Sequence, residues 1–305
     1  WPQTLLTTST HDTKRSGDMR ARLDVLSEIP ERWTEAVERW SKMASAHRTG
    51  DMPSLNDEYM IYQTLVGAWP IEQERVLEYM QKACREALAH TSWTDPDEDY
   101  EQAVETFIKG LYQDETFRND LEAFVASVKE PGRVNALAQT LIKLTAPGVP
   151  DIYQGTELWQ RNLADPDNRR SVDFEQRRAL LAELRDITLD NIQARSDEGL
   201  PKLWLIWKTL HFRKDHPELF GPESDYRPLD VAGDHGVAFV RGERAVVVVP
   251  RLMTQAGEPW REAALTLPDG RWHNVLTGEE IEGGETQLGT LLAHFPVCLL
   301  FLNAQ

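Results

Sequence analysis

The sequence predicts an α/β fold joined to an all-β domain. It reads as the C-terminal part of a (β/α)8 barrel with a large helical insertion, followed by an antiparallel β-sandwich domain. Three observations predict this. Two short apolar segments, residues 4–10 and 151–155, read as strands that each lead into helical sequence. Between them lies a long block in which apolar residues recur at helical spacing. After Phe220 glycine and proline become frequent and the apolar runs shorten, as in an antiparallel sheet.

Residues 4–10 are β-branched or apolar with no breaker, so a buried strand is expected there. Ser16 is expected to cap the next helix, with Asp18 in its first turn and Met19, Leu23 and Leu26 as its apolar stripe. Pro30 follows its end. The helical block runs to about Pro131. Trp33, Val37 and Trp40 make one stripe, Tyr62, Leu65 and Trp69 a second, Val104, Phe107 and Leu111 a third, and Phe117, Leu121, Phe124 and Val128 a fourth. A tryptophan stripe at helical spacing reads as core in preference to a sugar platform. A separate helix is expected over residues 134–145, broken by Pro147 and Pro150, with further helices near 175–187 and 203–214. The tail predicts strands at 236–239, 245–249, 264–267, 272–276 and 297–301. Turns are expected at Pro268-Asp269-Gly270 and Gly283-Gly284.

The implied domains are residues 1–30 (barrel strand and helix), 31–132 (helical insertion), 133–219 (last barrel strand and helices) and 220–305 (β-domain). Two barrel strands cannot close a barrel, and about six more are expected upstream. The first residue is Trp1, so the start reads as a cut through a larger protein.

Composition narrows the function. The 305 residues are 41% hydrophobic with 10 tryptophans, enough for a sizeable core. The net charge of -17 repels phosphates and argues against a nucleic-acid partner. No apolar run suits a bilayer, so no membrane partner is expected. Cys84 and Cys298 make no disulfide framework and suit buried thiols in the cytoplasm. No phosphate loop, paired-cysteine motif or serine elbow occurs, and the histidines show no metal-ligand spacing, so no metal is expected.

Three segments carry candidate chemistry. His11-Asp12 lies where the first strand ends, the face on which barrel enzymes gather reacting groups. A carboxylate there can bind hydroxyls and stabilise an oxocarbenium-like charge, and an imidazole can donate to a hydroxyl. The alternative is a strand-end turn with Asp12 as a cap and Lys14 and Arg15 as solvated charge. Asp165 to Arg170 offers carboxylates beside guanidinium forks, suited to vicinal hydroxyls or simply to structural ion pairs within a turn. Tyr153 and Glu157 follow the second strand, as sugar contacts or as packing and a helix-start charge.

Ser9-Thr10-His11-Asp12-Thr13-Lys14-Arg15-Ser16, followed by Asp18-Met19-Arg20-Ala21-Arg22, resembles the last catalytic motif of the α-amylase superfamily (glycoside hydrolase family 13) in its maltooligosyltrehalose synthase branch. Residues 144–157, ending Asp151-Ile152-Tyr153-Gln154-Gly155-Thr156-Glu157, are similar to that branch's eighth barrel strand and loop. Asp165-Pro166-Asp167-Asn168-Arg169-Arg170-Ser171-Val172-Asp173-Phe174 is similar to its following loop. The general His-Asp motif is only moderately specific; the Thr-Lys-Arg extension is much more so. Gly17 stands where many members carry glutamate, and Ser171 where proline is expected; both are local departures.

The resemblance implies a TIM-barrel isomerase of carbohydrate metabolism and trehalose biosynthesis. It would convert the reducing-end α-1,4 linkage of a maltooligosaccharide to α,α-1,1 by intramolecular transglycosylation, without a cofactor. It makes Asp12 the stabilising carboxylate and His11 a binder of the same sugar. Asp165 and Arg169 would hold the neighbouring glucose, and Lys14, Arg15, Tyr153 and Glu157 would line the site. The nucleophile and general acid belong upstream of Trp1, so the partners implied are the sugar substrate and the N-terminal part of the same enzyme. The chain alone is expected to be inactive. Competing readings are an α-glucan hydrolase or trehalohydrolase of the same superfamily, and a non-catalytic glucan-binding module.

Overall fold

The computed structural model describes residues 3–255 and 258–302; Trp1 lies outside the described residues. In chain order it forms β1 (Leu5–Leu6), α1 (Gly17–Asp24), α2 (Pro30–Ala44), α3 (Leu55–Ala68), α4 (Gln73–Ala87), α5 (Glu98–Gln113) and α6 (Glu115–Thr145). Then follow β2 (Val149–Pro150), α7 (Phe174–Glu183), α8 (Leu189–Ala194) and α9 (Leu200–Asp215). The last part comprises β3 (Tyr226–Leu229), β4 (Gly236–Arg241), β5 (Ala245–Pro250), β6 (Ala264–Asn274), β7 (Glu280–Gln287), α10 (Leu288–Leu291) and β8 (Cys298–Leu302). Two compact units result. A helical unit comprises Asp12–Gly132 and Arg161–Arg170; a sheet unit comprises Trp1–His11, Arg133–Gln160 and Ser171–Gln305.

The helical unit starts its helices with local polar devices. Pro30 opens α2 in the first turn, where its missing N–H costs nothing. Ser54 accepts the Asp57 N–H at the start of α3, and Asp97 the Tyr100 N–H at the start of α5. The stripes read from the sequence converge on one core. The Trp40 and Phe124 rings lie 5.4 Å apart and those of Trp33 and Trp40 5.8 Å apart, edge to face. Trp33 and Trp40 are buried, as the helical spacing predicts. The Trp40 indole donates to Asp120 at 2.6 Å, which gives its buried polar atom a partner.

Helix α6 departs from the expected break at Pro131: it runs continuously from Glu115 to Thr145 with Pro131 inside it. Proline removes one helical hydrogen bond and crowds the carbonyl four residues back. Packing on both sides offsets that cost, through Leu121 and Val128 before it and Leu137 and Leu141 after it. Gly132 then fits tightly in the helical unit, since a Cβ there would lie 2.7 Å from the Arg22 Cα.

In the sheet unit the strand expected over residues 4–10 is only Leu5–Leu6. It pairs in parallel with β2, Leu5 opposite Val149 and Leu6 opposite Pro150. The Val149 and Asp151 N–H groups donate to the Thr4 and Leu6 carbonyls at 2.9 and 2.8 Å. The strand is also less buried than expected, with Leu5 72% and Val149 50% exposed. Parallel strands are normally covered on both faces and flanked by further strands.

The tail is one six-stranded antiparallel sheet in the order β3-β4-β5-β8-β6-β7. Phe239, Val247 and Leu299 pack on one face with Leu141 of α6 and Phe212 of α9. Val246, Val248 and Leu300 pack on the other with Trp272, Leu265 and Leu288. The two strands expected at 264–267 and 272–276 are a single strand, β6. The Pro268-Asp269-Gly270 segment forms a bulge inside it, where the register shifts between Leu267 and Arg271. Strand β7 passes so close that a Cβ at Gly283 would sit 2.3 Å from the Pro268 carbonyl. Gly283 and Gly284 therefore belong to a strand, not the expected turn.

Candidate functional site

The chain reaches His11 and Asp12 in an exposed turn after β1. From Asp12 onward it belongs to the helical unit. Ser16 occupies the cap position of α1 with extended backbone, but its hydroxyl makes no capping bond. It is used otherwise. The Asn162 N–H donates to the Ser16 Oγ at 3.1 Å, and the Ser16 N–H donates to the Asn162 carbonyl at 2.9 Å. The Asn168 side-chain amide donates to the Thr13 carbonyl at 3.3 Å. These bonds lace the loop Arg161–Arg170 to the His-Asp loop, although Ser16 and Asn162 are 146 residues apart in sequence.

The lacing brings four of the expected site residues into one array of alternating charge. The Lys14 ammonium lies 3.9 Å from both Asp12 and Glu86 carboxylates. Glu86 is in turn 3.7 Å from the Lys82 ammonium, which donates to the Asp165 carbonyl at 2.7 Å. Lys82 is also 3.9 Å from the Asp165 carboxylate, whose other oxygen meets the Arg169 Nε at 2.5 Å. The Asp12 side chain is 81% exposed. Exposed pairs of this kind contribute about 0–1 kcal/mol each, so their effect is to place charge, not to hold the fold.

Beneath this array the loop is held by Asp167. Arg75 grips its carboxylate with two hydrogen bonds of 2.8 Å, and the Leu163 N–H adds a third at 2.8 Å. Burial works to raise the Asp167 pKa, yet Arg75 and the Leu163 N–H outweigh it and hold the carboxyl below its usual range. Arg75 also donates to the Arg161 carbonyl at 3.2 Å. Asp167 lies within the candidate segment Asp165 to Arg170 but is given no role there, and Arg75, Lys82 and Glu86 are not singled out in the sequence. For Arg75, Lys82 and Glu86 the only signal is helical spacing on α4, which equally suits a solvated face.

Arg15 donates to the Gln63 side chain at 3.1 Å, within the helical unit. Tyr153 and Glu157 are half-buried members of the sheet unit. Glu157 is engaged by the Arg177 guanidinium at 3.1 Å, and Arg177 also donates to the Gly155 carbonyl at 2.7 Å. Nearer Asp165, a cleft of about 300 Å³ is lined by Arg75, Lys82, Trp93, Asp165 and Asp167 among others. Cys84 and Cys298 are free and buried. Burial, with Asp57 and Glu101 nearby, pushes the Cys84 thiol up to about 12, which keeps it from acting as a nucleophile. Among the described residues no cluster of three or more His, Cys, Asp or Glu side chains could hold a metal ion, and no helix is long and apolar enough to cross a membrane.

No family model matches the chain. A Mycobacterium tuberculosis protein assigned as a maltooligosyl trehalose synthase is 37% identical over 98% of the chain. The solved maltooligosyltrehalose synthase of Arthrobacter ramosus is 35% identical over 99% of the chain, with a TM-score of 0.83. A second solved maltooligosyl trehalose synthase is 32% identical over 98%, with a TM-score of 0.87. The chain spans 38%, 39% and 40% of the lengths of these three proteins.

Proposed function

From its homology, along nearly its whole length, to maltooligosyltrehalose synthases, we propose that the chain is the C-terminal portion of such an enzyme, a (1→4)-α-D-glucan 1-α-D-glucosylmutase. The observation that carries this reading is the lacing of the Asp12 loop to the Asp165 loop within one unit, which gathers Asp12, Lys14, Asp165 and Arg169. The exposed edges of the β1–β2 pair support further barrel strands beside it. The buried free thiols suit a cytoplasmic protein.

In the proposed reaction an acid from the upstream part gives its proton to the glycosidic O4 as the C1–O4 bond breaks. A carboxylate nucleophile, also upstream, forms a bond to C1. The freed glucose stays bound and turns over. Its anomeric oxygen attacks C1, the carboxylate leaves, and the proton of that hydroxyl returns to the former acid. Asp12 faces the oxocarbenium-like charge that develops at C1, and His11 donates to a hydroxyl of the same ring. The Asp165–Arg169 pair binds vicinal hydroxyls of the adjacent glucose. Water has to be kept out while the glucose turns over, or hydrolysis competes.

The test is a maltopentaose assay on the chain mixed with the upstream half, wild type against Asp12→Asn. Maltooligosyltrehalose is expected from the wild-type mixture, falling about 10³-fold with the variant, and none from the chain alone. Glucose or maltose as the main product would favour the hydrolase reading instead.

A further inference from the structure

We propose that the cleft beside Asp165 is an accessory α-glucan subsite, in which the exposed indole of Trp93 is the platform for one glucose ring. This rests on the glucan reading above and locates further sugar units of the same substrate. Trp93 differs from the other tryptophans of the helical core: it is 57% exposed, whereas Trp33 and Trp40 are buried. An exposed indole in a loop is normally mobile, but this one is mounted on fixed groups. The Arg85 guanidinium lies 4.8 Å from its ring centroid. Arg85 is held by Glu101 through bonds of 2.7 and 2.6 Å. Glu101 also accepts the Thr91 hydroxyl at 2.7 Å, and Thr91 Oγ1 accepts the Asp97 N–H at 3.0 Å. The loop is thereby tied on both sides of Trp93, so binding on the ring loses little further freedom.

The cleft's chemistry selects the ligand class. Tyr79, Ala164 and Pro166 supply apolar wall, and Glu78, Gln81 and Lys82 supply donors and acceptors at its rim. Arg75 and Asp167 neutralise one another at 2.8 Å. What remains is Lys82 against the carboxylates of Glu78 and Asp165, an environment that repels anions and suits neutral hydroxyls. A hexose offers an apolar C–H face for the indole and a rim of hydroxyls for these groups. The neighbouring cleft of about 450 Å³ shares Glu78 and Gln81 but is ringed by Glu98, Glu101 and Glu105, and Trp93 does not line it. Asp165, which faces the Trp93 cleft and also closes the charge array on Arg169, joins the two sites.

Calorimetric titration of the chain with maltopentaose tests this, using wild type, Trp93→Ala and Trp93→Phe, with cellopentaose as the control sugar. Binding is expected for the wild type. It should weaken about tenfold for Trp93→Ala and recover substantially for Trp93→Phe. Thermal midpoints should stay unchanged, because the side chain is exposed. Equal affinity of wild type and Trp93→Ala, equal affinity for cellopentaose, or no binding to the folded wild type at millimolar sugar would each overturn the subsite. None of these outcomes reads product formation, so a failure of the transglycosylation reading shows separately, in the reconstituted assay.

Discussion

Replacing Asp167 by alanine would leave the Arg75 guanidinium facing an empty half-buried site, with the Leu163 N–H bereft of its acceptor. A loss of about 1–3 kcal/mol is expected, because the half-buried Arg75 would keep only the more exposed Glu72 at 3.0 Å as an ion-pair partner. Urea denaturation would show it as a lower midpoint. The same variant should weaken product formation in the reconstituted enzyme, though Asp167 acts by positioning the loop that carries Asp165 and Arg169. Rescue toward wild-type activity by Asp167→Glu would separate positioning from general destabilisation. At this scale the sequence was half legible. His11, Asp12, Asp165 and Arg169 stand in recognisable motifs. Lys82, Glu86 and Arg75 stand in α4, where a charged residue every turn looks the same whether it faces water or a ligand. Ser16 shows the limit of local rules: its position promises a helix cap, yet its hydroxyl accepts from Asn162, a contact that no local window contains.

Elements were legible where hydrophobic period and breakers agreed, and misread where a breaker was absorbed. Pro131 and the Pro268-Asp269-Gly270 segment are breakers by composition, but packing overrides the first and a bulge accommodates the second. Gly132 gives a test of sign. Glycine to alanine inside a helix ordinarily gains about 1 kcal/mol. Here the new Cβ would lie 2.7 Å from backbone of α1, so Gly132→Ala is expected to lose about 1–3 kcal/mol instead. A raised thermal midpoint would refute the close approach. A second element-scale expectation concerns acid. Hydrogen bonds from Arg85 hold the Glu101 carboxyl at about 2, against burial that works to raise it. Asp114 and Asp120 are likewise lowered, by the Phe117 N–H and by Arg39 respectively. A depressed folded pKa contributes stability that is fully present above the unfolded value. The helical unit should therefore lose stability as pH falls from about 4.5 toward 2, and Glu101→Gln should flatten that slope in denaturation measured across the window.

At the scale of the whole molecule, the parallel pair β1–β2 is a two-stranded sheet with exposed apolar residues. Leu5 and Val149 are 72% and 50% exposed, while the central strand of the antiparallel sheet, β5, buries Val246 and Val248 on one face and Val247 and Val249 on the other. A short parallel pair with uncovered edges opens readily, because little apolar contact is lost when it does. If the chain is part of a barrel enzyme, upstream strands would pair beside β1 and suppress that opening. The amides to follow are those of Val149 and Asp151, whose N–H groups donate to the Thr4 and Leu6 carbonyls. Hydrogen exchange at both should slow at least about tenfold when the upstream half is added, an opening cost raised by about 1.4 kcal/mol or more. Exchange at Val247 and Val248 in β5, already buried in the middle of the sheet, should stay as it is. Slowing at β5 alone would point to association elsewhere on the sheet unit. Unchanged exchange at Val149 and Asp151 in a mixture shown to associate would remove the barrel from the proposal, and with it the source of the nucleophile and the acid.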